Sequence, residues 1–370
     1  MDYAALLGVD EADLDDVMEH FEHREYEGRE YRALSDARHG LERGTALVGG
    51  TVVRGFPSIP RTLVLDPGVP EFFDGRLAVE EKLDGFNVRV AALDDGEPYA
   101  FTRGGYICPY TTERARALLD LDRFFADHPE KMLCAEFVGP ETPYTDHDYR
   151  DVESHDVIVF DVRDRVTGEP TPVERRRGIA AEYDFRQPDL FGIYDADDAP
   201  AGVREVVEEL DREDREGVVM QSLDGRNLLK YTTSAQHHDD LAYAFSLPFD
   251  YGRDFMFPRL IREGFQAVEF GDDESELRER AHALGESILY PMVETVRAVR
   301  EGEAVGERHT VRGDAAVIDR LFGHFDDMNI RIDVEADRTE GGDRVVTFLK
   351  YSNATNDQIR AYLDGATIDE

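Results

Sequence analysis

Two lysines and several carboxylates occupy strand-like positions from which their side chains could meet in one cleft. Lysine is rare in this chain, since only four of its 42 basic residues are lysines. Lys82 ends an apolar run just before Leu83-Asp84-Gly85, and a second strand is predicted to begin at Phe86. Asp-Gly is typical of a tight turn, which would hold this amine at a strand end beside Asn87. An amine held in this way is a candidate nucleophile.

A Lys-x-Asp-Gly turn by itself is also typical of a hairpin with a surface lysine, but four later segments favour a shared cleft. Each places a charged or aromatic side chain within or beside an apolar strand. Together they bring a second lysine and three acids to strand positions that could converge. The segments are Ala135-Glu136-Phe137-Val138-Gly139, Val157-Ile158-Val159-Phe160-Asp161-Val162, Glu216-Gly217-Val218-Val219-Met220 and Leu228-Leu229-Lys230-Tyr231.

The ordered series resembles motifs I, III, IIIa, IV and V of the covalent nucleotidyltransferases. This superfamily holds the ATP-dependent DNA and RNA ligases and the mRNA capping enzymes. Phe86-Asn87 after the glycine is closer to RNA ligases than to DNA ligases. The segments flanking residues 75–235 resemble, in layout, the archaeal ATP-dependent RNA ligases, which are homodimers. The matching residues are Lys82-Leu83-Asp84-Gly85, Glu136-Phe137-Val138-Gly139, Phe160-Asp161, Glu216-Gly217-Val218-Val219 and Lys230.

The resemblance implies an ATP-dependent RNA ligase that acts through a lysyl-AMP intermediate. Lys82 would be the nucleophile that attacks the α-phosphate of ATP, and Lys230 would contact that phosphate. The adenylate would pass to an RNA 5′-phosphate, and an RNA 3′-hydroxyl would then displace AMP. The implied partners are therefore RNA ends and a second copy of the chain.

The resemblance also implies ATP and Mg²⁺ (or Mn²⁺) as cofactors, with specific residues to bind them. Glu136 would hold the ribose hydroxyls, Phe160 would stack on adenine, and Glu81 sits where these enzymes contact the base. Glu216 and Asn87 are the implied metal ligands. The full implied set for binding the nucleotide is Glu81, Asn87, Arg103, Glu136, Phe160, Glu216 and Lys230.

Two features of the motifs set requirements that the fold must meet. The attacking lysine must be neutral, and lowering its pKa from about 10.4 to about 7–8 takes roughly 3–4 kcal/mol of bias from its surroundings. Motif V usually has two lysines, Lys-x-Lys, but here Leu228 replaces the first of them. Either one phosphate contact is missing, or Arg226 supplies it.

Two other interpretations remain open on the sequence. Within the superfamily, the chain could be a DNA ligase or a capping-type guanylyltransferase that uses GTP. Outside it, the chain could be a catalytically decayed, halophilic nucleic-acid-binding or scaffold protein. Whether Lys82 is chemically competent separates the second alternative from the enzymes.

The excess of acidic residues is better explained by a salt-rich solvent than by the chemistry of a binding partner. Asp and Glu number 81 against 42 Lys and Arg, which gives a net charge of −39. Nucleic-acid binders ordinarily carry basic patches, so this excess first argues against one. At about 1 M salt, however, the Debye length is only roughly 3 Å. We therefore predict a cytoplasmic protein of a salt-loaded cell, with an acidic scaffold protein in ordinary salt as the alternative. No apolar run is long enough to predict a membrane span.

The pattern of strands and helices predicts an α+β fold with mainly antiparallel sheets. A nucleotidyltransferase (adenylation) domain is expected over residues 66–238. It would be flanked by an N-terminal helix/strand domain over 1–65, a helical and probable dimerisation domain over 239–310, and a C-terminal α+β domain over 311–370. Within the first domain, the first 40 residues are predicted to be helical, with Leu14, Val17, Met18 and Phe21 on one face.

Overall fold

The strands form antiparallel pairs throughout. The computed structural model describes residues 3–145 and 147–367, and fifteen strands lie in them. Every pair of neighbouring strands within a sheet is antiparallel. In chain order the strands are β1 Phe21–Tyr26, β2 Arg29–Leu34, β3 Ala46–Val48, β4 Thr51–Val53, β5 Arg76–Lys82, β6 Phe86–Ala92, β7 Pro98–Thr102, β8 Lys131–Val138, β9 Asp156–Asp164, β10 Leu190–Asp195, β11 Gly217–Ser222, β12 Leu228–Thr232, β13 Gly306–Gly313, β14 Ile332–Glu340 and β15 Asp343–Tyr351.

Twelve helices accompany these strands in the described part of the chain. They are α1 Tyr3–Leu7, α2 Leu14–Glu19, α3 Gly68–Phe72, α4 Pro109–Leu118, α5 Leu121–Asp127, α6 Val173–Glu182, α7 Ala199–Arg212, α8 Ser234–Ser246, α9 Arg253–Phe270, α10 Glu274–Glu301, α11 Ala315–Asp327 and α12 Asn353–Leu363. None of them combines the length and the apolar character that crossing a bilayer requires.

Four sheets organise the described part of the chain, and they confirm the predicted α+β class. The first has the order β1-β2-β3-β4, and the last has the order β13-β15-β14. Between them in the chain lie two four-stranded sheets, β10-β5-β11-β12 and β7-β6-β8-β9. Strands β5 and β6 are consecutive in sequence but belong to different sheets, so the short link between them joins the two central sheets.

The helix predicted for the first 40 residues is wrong beyond Glu19. A strand begins at Phe21, and the β1–β2 hairpin turns at Glu27-Gly28, where φ is 50° and 79°. A two-residue turn of this kind needs positive φ at both positions. Glycine supplies that conformation at little cost, but glutamate rarely does. Of the two turn positions, only Gly28 is therefore a residue type that predicts this turn.

Each central sheet buries its own apolar face. Side chains of β5, β11 and β12 pack against α7, including Val79, Val218 and Val207. The other central sheet shares a cluster with the C-terminal segment, where Leu133 and Phe348 belong to the same core. Burying one such side chain contributes about 1.5–3 kcal/mol, so this contact holds the C-terminal segment against the β7-β6-β8-β9 sheet.

The predicted domain borders stay predictions. Strand β13 runs from Gly306 to Gly313 and so crosses the border predicted at residue 310. Helix α8 runs from Ser234 to Ser246 and crosses the border predicted at residue 238. A C-terminal unit that includes all of β13 would begin at or before residue 306.

Candidate active site

Lys82 lies at the junction of the two central sheets. It is the last residue of β5, and Leu83-Asp84-Gly85 links it to β6. A Cβ at Gly85 would come within 2.3 Å of the carbonyl oxygen of Phe137 on β8. Since real Cβ atoms do not approach that closely, only glycine lets the link pass this near to β8. The Asp-Gly pair predicted from the sequence thus has a packing reason as well as a turn reason.

Glu216 is brought to Lys82 by the register of β11 on β5. Gly217 lies directly opposite Lys82, and Glu216 precedes it. The carboxylate of Glu216 accepts a hydrogen bond from Nζ of Lys82 and forms an ion pair with it. The Lys82 side chain is 21% exposed and the Glu216 side chain 11%. The pair is therefore poorly screened by water, yet open to a ligand on one side.

Asn87 and Glu136 face each other across β6 and β8 and line one cavity. They are directly opposite in register, and the cavity has a volume of about 190 Å³. Lys82 and Lys230 line it too. Oδ1 of Asn87 is buried with no hydrogen-bond partner among the described residues. A buried acceptor without a partner is costly, so this oxygen is available to a ligand.

Phe160 forms part of an apolar wall of the same cavity. Its ring lies 5.2 Å from the ring of Phe56, centroid to centroid, with an interplanar angle of 84°. Its carbonyl oxygen accepts a 2.6 Å hydrogen bond from the buried Arg176. Leu228 and Ile59 also line the cavity near this ring. The wall is apolar and includes an aromatic ring, which suits the aromatic base of a nucleotide.

Arg103 lies in the loop after β7, and residues of the N-terminal segment pack closely against this loop. The fully buried Arg89 donates to the carbonyl oxygens of Thr102 at 2.7 Å and of Gly44 at 3.0 Å. A Cβ at Gly44 would lie 2.2 Å from the carbonyl oxygen of Arg103. Arg89, which the sequence places near Lys82, therefore acts on the backbone, while the exposed Arg103 lines the cavity.

Two families match parts of the chain. The RNA ligase family matches residues 75–232, and the C-terminal region of the ligase Pab1020 matches residues 243–366. An uncharacterized protein of Methanocaldococcus jannaschii is 37% identical over 357 residues, which covers 92% of this chain and 90% of the relative.

Two solved structures titled archaeal ATP-dependent RNA ligase, form 2 and form 1, each share 38% identity with it. Their TM-scores are 0.93 and 0.91, and both comparisons cover 99% of this chain and 98% of theirs. The chain belongs to the archaeal ATP-dependent RNA ligases. A structure titled putative ATP-dependent DNA ligase, from Aquifex aeolicus, shares 24% identity with a TM-score of 0.88 over 97% of this chain and 98% of its own. At that identity the likeness concerns the fold alone.

Lys82 of the ligase keeps its proton in the ligand-free geometry. Burial by itself lowers the pKa of a lysine. The carboxylates of Glu216 and Glu136 outweigh burial here, so the pKa of Lys82 is raised. A nucleophilic role for Lys82, which stays a prediction, would therefore require this amine to lose its proton first.

The pKa shifts of the two carboxylates and of Lys230 instead favour the neutral form of each group. Burial raises the pKa of Glu136 to about 8 and that of Glu216 to about 7, against the pull of Lys82. Burial, Arg61 and Lys82 lower the pKa of Lys230 to about 8. Strong shifts of several neighbouring groups are typical of functional sites. Of the two lysines, Lys230 therefore loses its proton more readily than Lys82.

The Glu81 carboxylate is turned away from the base wall. It pairs with Arg215 and accepts a 2.7 Å hydrogen bond from the hydroxyl of Tyr149. Glu81 lines both the cavity of about 190 Å³ and a wider cavity of about 620 Å³ on the side of Asp84. Any contact of Glu81 with the base would thus use its backbone or need a new rotamer, and its role stays a prediction.

Arg226 does not replace the missing lysine of motif V. It is 63% exposed in the turn between β11 and β12, pairs with Glu169 at 2.8 Å, and does not line the cavity. The turn directs its side chain away from the sheet junction. Leu228, in the position of the absent lysine, is 8% exposed and packs in the apolar cluster that includes Phe160.

Two arginines near Lys230 escaped sequence reasoning. Arg61 lies beside Lys230 in an isolated parallel bridge, and Lys230 donates its backbone N–H to the carbonyl of Pro60 at 2.9 Å. Arg262 lies on α9, and it and Arg61 line one small recess. Arg61 follows Pro60 in the predicted N-terminal helix/strand domain, and Arg262 belongs to no motif. No local signal linked either of them to Lys230.

Replacing Glu136 by glutamine is expected to make the ligase more stable at alkaline pH. The folded state raises the pKa of Glu136 from its ordinary 4.5 to about 8. Folded protein therefore binds more protons than unfolded protein between these values, and wild-type stability falls as pH rises through this window. Glutamine removes that loss, so the variant should gain on the order of 1–3 kcal/mol at pH 8 and nothing at pH 4.5. Urea unfolding at several pH values measures the difference.

The control is Glu205→Gln, which changes an exposed carboxylate on α7. It should show no such pH-dependent gain. An equal urea midpoint for Glu136→Gln and wild type at pH 8 would contradict the proposed cost of burying this carboxylate.

Proposed function

We propose that this ligase transfers AMP from ATP to Nζ of Lys82 and then to the 5′-phosphate of RNA in the cytoplasm, sealing it to a 3′-hydroxyl. One observation carries this proposal. The Lys82 amine lies at the junction of two sheets, in a cavity that also has an apolar wall at Phe160, a carboxylate at Glu136 and a cation at Lys230. A purine, a ribose and an α-phosphate need these three kinds of contact.

The first step would proceed at the α-phosphorus of ATP. Nζ of Lys82 would give up two protons, one to the Glu216 carboxylate that it contacts and one to solvent, and form the P–N bond, while the bond from the α-phosphorus to the bridging oxygen breaks. Pyrophosphate leaves with that electron pair. Lys230 would stabilise the charge on the α-phosphate, and the residues at the base wall would keep the nucleotide from turning.

The residues also fit a divalent cation. The described residues hold no group of three or more histidine, cysteine or carboxylate side chains that could bind a metal by themselves. Mg²⁺, however, is commonly held by one or two carboxylates together with waters and substrate phosphates. Glu216 in the wider cavity and the unpartnered Oδ1 of Asn87 in the cavity of about 190 Å³ would offer such ligands, with Lys82 lining both cavities. A bound cation would draw the Glu216 carboxylate from Lys82 and offset charge on the departing pyrophosphate.

Labelling with α-labelled nucleotides tests the proposed function. Protein in about 2–3 M KCl, where surface charge is screened, is incubated with Mg²⁺ and either ATP or GTP, and then denatured. Label from ATP that remains on the denatured protein is the expected result. Label from GTP alone would indicate a capping-type guanylyltransferase, and no label from either would refute the enzyme. Offering labelled enzyme 5′-phosphorylated RNA or DNA then separates an RNA ligase from a DNA ligase.

The ligase is further expected to be a homodimer through α9 and α10. Several of their large apolar side chains are exposed, including Val268 at 83% and Leu289 and Tyr290 at 60% each. Large apolar side chains left exposed on one helical segment favour a protein interface. Light scattering in high salt should give twice the mass of 41.9 kDa. A monomeric mass would contradict the dimer, without bearing on the chemistry at Lys82.

A further inference from the structure

Two half-buried arginines near the motif V strand form no ion pair within the described part of the chain. Acids outnumber basic residues by 81 to 42 in this chain, yet neither Arg61 nor Arg262 forms an ion pair with any described residue. Nε and Nη1 of Arg262 are buried and make no hydrogen bond within the described part of the chain. Buried charges are ordinarily paired, so this arrangement favours an anionic ligand.

The backbone holds Arg61 against the lysine of motif V. The parallel bridge sets the two residues side by side, with the N–H of Thr62 donating to the carbonyl of Lys230 at 3.3 Å. The guanidinium of Arg61 donates to the hydroxyl of Thr232, which is also bonded to Nε2 of His237 at 2.8 Å. Arg61 is therefore fixed on the same stretch of β12 as Lys230.

Arg262 comes to the same place from the helical segment. Arg61, Thr232, His237 and Arg262 line a common recess of about 10 Å³. Burial, Arg61 and Arg259 lower the pKa of Arg262 to about 9. The charge of Arg259 is already matched, since its Nε lies 2.6 Å from Asp240. Arg61 and Arg262 are attracted by Asp240 and Glu216 without forming an ion pair with either of them.

We propose that Arg61 and Arg262 form the subsite for the β- and γ-phosphates of ATP. The inference rests on the proposed function, in which Lys230 contacts the α-phosphate. The recess itself is too small for a phosphate, so the phosphates would lie outside it, on the side where Arg61 adjoins Lys230. Guanidinium groups suit phosphate oxygens because they donate two parallel hydrogen bonds. The subsite supplies, from outside the motifs, the positive charge that Leu228 removes from motif V.

Binding of inorganic tripolyphosphate tests the subsite directly. Calorimetry at one fixed KCl concentration compares wild type with Arg262→Gln and with Arg253→Gln. Arg253 is exposed at the start of α9, so its loss changes the net charge equally without touching the recess. Arg262→Gln should weaken binding by about 10- to 100-fold, with Arg61→Gln as a second variant that reports on the same subsite. Equal affinity in wild type, Arg262→Gln and Arg61→Gln would overturn the proposal.

Two kinetic readouts assign the phosphate source. For the nucleotide, Arg262→Gln should raise the KM for ATP in lysyl-AMP formation by a similar factor and leave AMP transfer to 5′-phosphorylated RNA unchanged. Impaired transfer to RNA with an unchanged KM would assign these cations to the RNA phosphate and overturn the nucleotide assignment. Tripolyphosphate binding does not depend on lysyl-AMP formation. If the wild-type protein binds tripolyphosphate but acquires no label from ATP, that result would refute only the proposed function.

Discussion

Lys82→Ala is expected to abolish lysyl-AMP formation, lowering the labelling rate by at least about 10³-fold. Alanine has no amine to form the P–N bond, and no water-derived nucleophile leaves AMP on the protein. The variant should fold, because the Lys82 side chain is 21% exposed and its polar contact within the described residues is the ion pair with Glu216. Label remaining on the denatured protein measures the effect, with circular dichroism to check the fold.

Lys131→Ala is the matched control, since it removes another of the four lysines. Lys131 begins β8 and lines neither cavity beside Lys82, so this variant should label like wild type. Full labelling of Lys82→Ala would contradict the assignment of the nucleophile. If Lys230→Ala then lost the label, the nucleophile would be Lys230, whose pKa is lowered to about 8.

Gly85→Ala is expected to slow lysyl-AMP formation by about 10²-fold, although it adds only a methyl group. The added carbon would meet the carbonyl oxygen of Phe137 at 2.3 Å and Cγ of Glu136 at 3.1 Å. Either the link carrying Lys82 or strand β8 must move, and a displacement of about 1 Å at reacting groups costs on the order of 10²-fold. The same strain should destabilise the fold by about 1–3 kcal/mol. Initial labelling rates and urea unfolding measure the two effects.

Gly178→Ala provides the comparison, since nothing lies within 4 Å of the added carbon on helix α6. It should label at the wild-type rate and gain up to about 1 kcal/mol, because alanine favours helix over glycine. A wild-type labelling rate in Gly85→Ala would mean that the link can shift without displacing Lys82. That result would contradict the close packing assigned to it.

Much of the adenylation fold was predictable from local sequence. Alternating apolar residues and Gly-containing turns predicted strands at β5, β6, β8, β9, β11 and β12, because these signals act between neighbouring residues. The N-terminal hairpin was missed for the same reason. Its turn places Glu27 at φ 50°, a conformation that local propensity does not favour.

The order of the motifs determined the family and named the polar residues, whereas the tertiary structure decided what those residues do. Register between distant strands places Glu216 on Lys82, and that contact raises the pKa of Lys82 in the ligand-free ligase. In so acidic a chain the two arginines form no basic patch that the sequence would reveal, and no spacing rule links Arg61 to Arg262. Their shared recess arises because a bridge on β12 and a helix from a later segment pack together. Such long-range packing depends on the whole fold and leaves no local pattern in the sequence.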